Sequence, residues 1–472
     1  MPTKLANIKR PNQYFVCEMS KTKRYPESEL IRLCSRPVAS EVIVQARWTL
    51  LDWLGCIFAA RNSGVACAMG RAQHSSGHDI VHAGLCLTDN DAQSAALLLG
   101  TLGNVLEMDD LHRASILHPG DAVAAAALAV GLRQPCAGSE LLTALTRGYE
   151  AAIRIGRVAA SGGYTHFYNS STCGVFGAAI AATDLLGANE DTLADAVGQA
   201  GMMASGIWQC RLEPTFSKQL ATAHAARSGV LAAKLASAGF PGARGILTGP
   251  MGFFKSYYPE ADPAQLTAPG DWALLEMSFK PFPACRHTHP AISAALDLRN
   301  VAKAPRRIIV QTYRAALDFC DAPDPATPEE ARFSLQHAVA VALAKGAPAI
   351  ADFDPDALSD PDLIALRARV QLEVAPDLDA AFPQSYGARI RIEAADGTLQ
   401  GITCPAAWGD PENPMREADI IAKFRANAAY GKLAAPQADG ILQAVLTLPD
   451  APDLSALQAA FDAAFAPTPE YA

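Results

Sequence analysis

Residues 41–60 read Glu-Val-Ile-Val-Gln-Ala-Arg-Trp-Thr-Leu-Leu-Asp-Trp-Leu-Gly-Cys-Ile-Phe-Ala-Ala. Val42, Val44, Ala46, Leu50, Leu51, Trp53, Leu54, Ile57 and Phe58 fall at helical spacing, so the stretch predicts a core helix. The same signature returns over 92–106, 122–131, 139–159, 173–186, 193–208 and 218–238, and most of these stretches are closed by Gly, Asn or Pro. A nearly all-helical first half follows, and its many Ala and Gly residues predict close helix packing.

Past Pro259 the texture changes. Segments 306–313, 370–374 and 388–393 are short and either β-branched or alternating, and Asp396-Gly397 is a hairpin signal ahead of 398–403. Helical patterns over 290–300, 329–343 and 361–368 alternate with these strands, and helices near 418–427 and 452–465 close the chain. The expected fold class is mainly α. A large all-helical domain would comprise 26–268 plus 405–472, a smaller α+β lid domain 269–404, and residues 1–25 a disordered arm.

The formal net charge of −9 argues against a nucleic-acid or anionic-membrane surface, which needs clustered Lys and Arg. No run of about 18 uninterrupted apolar residues predicts a membrane span. The 11 cysteines are odd in number, scattered and without a C-x-x-C pair, which predicts reduced thiols and a cytoplasmic location. Lys4, Lys9, Arg10, Lys21, Lys23 and Arg24 crowd the N-terminal arm, but no apolar segment follows them to make a secretory signal.

Four segments carry chemistry. The first, Glu107-Met108-Asp109-Asp110-Leu111-His112-Arg113-Ala114-Ser115-Ile116-Leu117-His118-Pro119-Gly120, is a polar elbow between two apolar helices. Asp110 or Asp121 could simply cap a helix. His118, stiffened by Pro119 and Gly120, is placed to exchange protons near neutral pH. The second, around His166, Tyr168, Asn169 and Ser170, sets hydroxyls and amides before a helix of small residues, where a carboxylate can sit and where plain capping is equally served. The third puts Lys218 in the first turn of a helix, where the dipole disfavours a cation and calls for a nearby anion. The fourth, 279–290, packs Lys280, Arg286, His287 and His289 into a Pro-stiffened loop, which on an acidic protein suggests an anion pocket. No dinucleotide fingerprint, P-loop, nucleophile elbow or iron–sulfur cysteine set is found.

In this order the segments resemble the MmgE/PrpD family, whose activities include 2-methylcitrate dehydration, cis-aconitate decarboxylation and iminodisuccinate epimerisation. The resemblance runs from about Glu41 to Phe424. It rests on Leu51-Asp52-Trp53-Leu54-Gly55-Cys56, Asp109-Asp110 with His118-Pro119-Gly120, Gly174-Val175-Phe176-Gly177, Ser217-Lys218, Gly249-Pro250-Met251-Gly252, the 280–290 loop, Ala331-Arg332-Phe333-Ser334 and Gly409-Asp410-Pro411-Glu412-Asn413-Pro414. It implies a homodimer with an interdomain site that uses no metal or organic cofactor. His118, Lys218 and Lys280 match family active-site positions, and Asp109, Asp110, Arg286 and His289 lie in the same motifs. Three segments depart from it. Glu107 and Leu111 stand where Asp and Thr are common, Tyr168-Asn169-Ser170 where His-Pro-Thr is usual, with His166 just before, and His337 where a Tyr is frequent.

The expected function is a cofactor-independent lyase that moves a proton next to a carboxylate of a small di- or tricarboxylate. His118, Lys218, Lys280 and Asp109 would form the catalytic set. Arg286, His289, Asp110, His166, Tyr168, Glu107 and His337 would bind substrate. Dehydration is the first expectation, with decarboxylation and epimerisation as neighbours. A carboxylate-binding protein without turnover is the reading from another class.

Overall fold

A computed structural model describes residues 25–73, 80–86, 91–213, 215–300, 305–394 and 396–465. Apart from Tyr25, the expected N-terminal arm lies outside the described residues. Helix Ser40–Ala60 is buried along most of its length. It is long and apolar enough to cross a membrane, yet 83% of its apolar window is buried inside the protein, so its apolar surface is used in a core. It packs on Glu417–Tyr430, where Phe58 meets Phe424 edge to face at 6.3 Å.

Gly120–Gly131 and Gly138–Ala160 pack on it, Gly174–Leu185 packs on those two, and Ser217–Ser237 and Glu190–Met203 follow. Small residues decide how close they come. A Cβ on Gly177 would stand 2.5 Å from the Gly148 carbonyl oxygen, and one on Gly229 would stand 2.4 Å from the Ala178 Cβ. Several expected helices end early. The stretch from Ala92 stops at Gly100, where a Cβ would come within 2.9 Å of the Asp121 carbonyl oxygen. Glu190–Met203 stops before Gly206, whose φ of +126° cannot continue a helix. The pattern over 329–343 is two helices, Pro328–Arg332 and Leu335–Ala344, because the Ser334 hydroxyl caps the second by accepting the His337 N–H.

The second unit is α+β. Strands β1 (Pro305–Thr312), β2 (Val370–Val374), β3 (Ala388–Ala394) and β4 (Leu399–Cys404) form one sheet in the order β2-β1-β3-β4. β1 pairs parallel with β2 and antiparallel with β3, while β3 and β4 form the hairpin signalled by Asp396-Gly397. Helices His289–Leu298 and Leu335–Ala344 cover the sheet.

Two apolar cores result. The larger draws on residues from Leu30 to Phe279 and from Met415 to Ala464, and the smaller on Phe282 to Ile392. The partly buried Trp408 packs against both, and Ile350 reaches across to Cys56, Ala59, Leu106 and Met108. The protein is therefore mainly helical with a small α+β unit attached, and the polar elbow 107–120 lies along the seam between them.

Candidate active site

The elbow begins under strain. Glu107 has φ +54° and Ile116 φ +48°, conformations that cost a side-chain-bearing residue about 1–3 kcal/mol. Both are held by their surroundings. The Glu107 N–H donates to the Asn104 carbonyl at 3.2 Å, and the Lys423 ammonium donates to the Met108 carbonyl at 2.7 Å and to Asp52 Oδ1 at 2.6 Å. Leu111 and Ser278 exchange backbone hydrogen bonds of 3.0 and 2.8 Å as an antiparallel bridge. Stepping two residues along each side of that bridge sets Asp109 opposite Lys280.

The side chains meet accordingly. Lys280 Nζ donates to Asp109 Oδ1 at 2.8 Å and lies 3.6 Å from Glu107 Oε2, while Lys218 Nζ pairs with Glu107 Oε1. The anion that the position of Lys218 demanded is thus Glu107, 111 residues away in sequence. Burial by itself would raise the Glu107 and Asp109 carboxyls. Lys218 and then Lys280 outweigh it at Glu107, as His118 and then Lys280 do at Asp109, so both are held below the ordinary carboxylate range. Burial would lower both lysines, but the same carboxylates keep them above their usual value.

His118 Nδ1 lies 2.8 Å from the Asp110 carbonyl oxygen and 2.8 Å from Asp109 Oδ2. Both neighbours are acceptors, so Nδ1 carries the proton and Nε2 is left for chemistry. The His118 N–H donates to Ser170 Oγ at 3.0 Å, which anchors the elbow to the short helix Asn169–Thr172 just before Gly174–Leu185. Asp110 turns the other way. Its carboxylate accepts from Tyr149 Oη at 2.7 Å and from the Gly120 N–H at 3.2 Å, and burial, with Asp109 and Asp52 beside it, pushes it up to about 7.

Other expected residues divide. Tyr168 is buried against Trp208, ring centroids 4.4 Å apart, and among the described residues its hydroxyl has no hydrogen-bond partner. Burial and then the charge of Asp109 push that hydroxyl well up. Arg286 pairs with Asp410, which also accepts from Ser278 Oγ at 2.7 Å, while Arg286 Nε and Nη1 are buried and find no partner among the described residues. His289 Nε2 lies 3.0 Å from the Ala284 carbonyl, and burial, then Arg286, keep it neutral. His166 is exposed. His337 sits inside the α+β unit, with Nε2 2.7 Å from the Asp352 carbonyl and Nδ1 3.3 Å from Arg367 Nη1. Both nitrogens are taken up within the α+β unit itself, so His337 does not join the lysines.

Sequence reasoning assigned no site role to three groups. Lys423 and Asp52 pin the elbow from behind. His287 holds Tyr164 Oη at 3.1 Å and Tyr313 Oη at 2.7 Å and stacks on Tyr386, and burial, then Arg211, lower it to about 3. Cys285 is buried beside Cys320. Burial would raise its thiol, but hydrogen bonds from the Cys320 thiol and the His287 N–H hold it below the usual range. Cys285 stands in the same stiff loop as Lys280, the one local signal that pointed to it. Among the described residues no group of three or more His, Cys, Asp and Glu is arranged to hold a metal.

Paired lysines, paired carboxylates and a histidine with one free nitrogen, closed between a helical body and an α+β unit, define acid–base enzyme machinery. The chain belongs to the MmgE/PrpD family: the MmgE/PrpD N-terminal domain matches residues 32–266 and the C-terminal domain residues 282–448. Its relatives are lyases. Cis-aconitate decarboxylase of Homo sapiens is 30% identical over 387 residues, covering 77% of this chain and 78% of that protein. Cis-aconitate decarboxylase of Aspergillus terreus is 25% identical over 438 residues, 83% of this chain and 86% of the other. The 2-methylcitrate dehydratase of Cupriavidus necator is 26% identical over 266 residues, 52% and 54%.

Proposed function

We propose that the protein is a cofactor-independent lyase that moves a proton at the carbon next to a carboxylate of a small di- or tricarboxylate. One observation carries the reading: His118 Nδ1 is fixed between the Asp110 carbonyl oxygen and ionised Asp109, which leaves Nε2 as the proton-moving atom. The nearby Lys218 and Lys280 are fixed cations for the charge that builds on a carboxylate as the neighbouring carbon becomes a carbanion.

Decarboxylation suits this set best. The C–C bond breaks, CO2 leaves, the electron pair stays on carbon, and the proton on Nε2 of the His118 imidazolium is delivered to that carbon. One proton donor is enough. The resemblance to cis-aconitate decarboxylases over about three quarters of the chain or more, against about half for the dehydratase, supports the same order. Dehydration needs a second acid for the departing hydroxide, and the unpartnered Tyr168 hydroxyl is the group that favours that second reading. The enzyme works as a homodimer, a reading supported by the exposed Met202, Ile207, Leu212, Phe216 and Leu220, which lie within one stretch of chain.

The test is incubation in D2O with cis-aconitate, citrate, 2-methylcitrate, tartrates, iminodisuccinate and simple unsaturated dicarboxylates, followed by NMR. Loss of CO2 with deuterium at the adjacent carbon is expected. Tight binding with no exchange and no loss of water or CO2 would make the protein a carboxylate binder instead.

A further inference from the structure

Glu107 is placed as a substrate carboxylate would be. Its two oxygens are divided between the two lysines, Oε1 on Lys218 and Oε2 3.6 Å from Lys280, and its side chain is only 7% exposed. It has nowhere to swing. The backbone on either side is tied, by the Glu107 N–H to the Asn104 carbonyl and by Lys423 to the Met108 carbonyl, and the residue is held at φ +54°.

The lysines of the site are already matched by carboxylates. Lys218 and Lys280 face Glu107 and Asp109, Lys423 faces Asp52, and Arg286 faces Asp410. Asp110 and Asp121 add no cation and are themselves raised by burial. A tricarboxylate entering this cluster would bring three negative charges to lysines already bridged by an internal carboxylate.

Resting on the lyase reading above, we propose that Glu107 is a built-in carboxylate that fills one anion position of the site, so that the substrate is a dicarboxylate rather than a tricarboxylate. Glu107 is then the residue that sets specificity. The glutamate supplies the extra methylene that an aspartate here would lack, and with it the reach to bridge both lysines.

The experiment is calorimetric titration of the full-length protein, Glu107→Gln and Glu107→Asp, with succinate and glutarate against tricarballylate and citrate. Wild type should bind the dicarboxylates more tightly. Glu107→Gln, which frees both lysines, should raise the ratio of tricarboxylate to dicarboxylate affinity about 10-fold or more, as expected for one recovered charge-assisted contact that only the third carboxylate can use. Glu107→Asp should move the same way by less, and it stands in if the glutamine variant fails to fold. Tricarboxylates binding wild type as tightly as dicarboxylates, with neither variant changing the ratio, would overturn the role of Glu107 and leave the lyase reading standing. Failure of both classes to bind wild type would overturn the carboxylate reading and this inference together.

Discussion

His118 and Lys280 are 2.8 Å from the same aspartate, yet they should fail differently. A proton-transfer group contributes about 10²- to 10⁴-fold to rate, so His118→Gln should lower kcat by that order and leave carboxylate binding within a few-fold. Lys280→Ala removes a fixed cation that acts on bound substrate and on the transition state. KM should rise as kcat falls, with a loss of roughly 3 to 5 kcal/mol in kcat/KM. Near-normal turnover in His118→Gln would hand the proton to another group, with Tyr168 the first to examine. Asp110 gives a pH signature of its own. Its carboxyl, pushed up to about 7 by burial, keeps a proton in the folded state that the unfolded chain releases near pH 4. The folded state binds the extra proton between these values, so this contribution is full below about pH 4 and is lost as the pH rises through about 7. Asp110→Asn stays neutral throughout. The stability of the variant relative to wild type should therefore increase from pH 5 to pH 8, measured as urea midpoints, and an unchanged difference would show that Asp110 is ionised in the folded state.

Between elements, glycine decides the spacing. Helices Gly138–Ala160 and Gly174–Leu185 meet at Gly148 and Gly177, where a Cβ on Gly177 would lie 2.5 Å from the Gly148 carbonyl oxygen and 2.8 Å from the Ala152 Cβ. One obstacle is backbone and cannot rotate away. Gly177→Ala should cost about 1–3 kcal/mol by overpacking, despite the better helix propensity of Ala, and thermal unfolding will read it. A variant as stable as wild type would mean that the helix pair can separate freely. The short helix Asn169–Thr172, just before the second helix, holds His118 through Ser170, so the same substitution should also lower kcat. The elbow shows how the elements divide the work: one helix supplies Asp52, another Lys423, and the bridge to Ser278 brings Lys280 into register.

At the scale of the molecule, Lys280 and Asp109 are fully buried between the two units, so substrate reaches them only if the seam opens. Hydrogen exchange in segments 105–118 and 277–290 should slow when a bound dicarboxylate holds the units together. Identical exchange with and without saturating ligand would mean that entry requires no such opening. Across the seam Ile350 meets Cys56, Ala59, Leu106 and Met108, Trp408 packs against both cores, and Tyr164, Trp208 and Arg211 of the helical body meet Phe319 and His287 of the α+β unit, so opening must part these contacts while each core stays packed.

Much of this was legible locally. The periodicity of 41–60 marks a buried helix because one face after another is apolar, and Asp396-Gly397 marks the hairpin because a turn there needs a residue free to take positive φ. The misplaced dipole partner of Lys218 announced an anion, and Pro and Gly around His118 announced a fixed side chain. These signals act within a few residues, where chain stereochemistry is strong enough to be read directly. The partners are another matter. Glu107 meets Lys218 across 111 residues and Asp109 meets Lys280 across 171, and no local pattern specifies either pairing. Nor does sequence tell that Asp110 faces Tyr149 and Gly120, that Arg286 faces Asp410, or that both nitrogens of His337 are spoken for within the α+β unit. Composition placed the cations and carboxylates in the same few segments. Which charge neutralises which depends on side-chain directions and backbone register that only the packing of one unit against the other imposes.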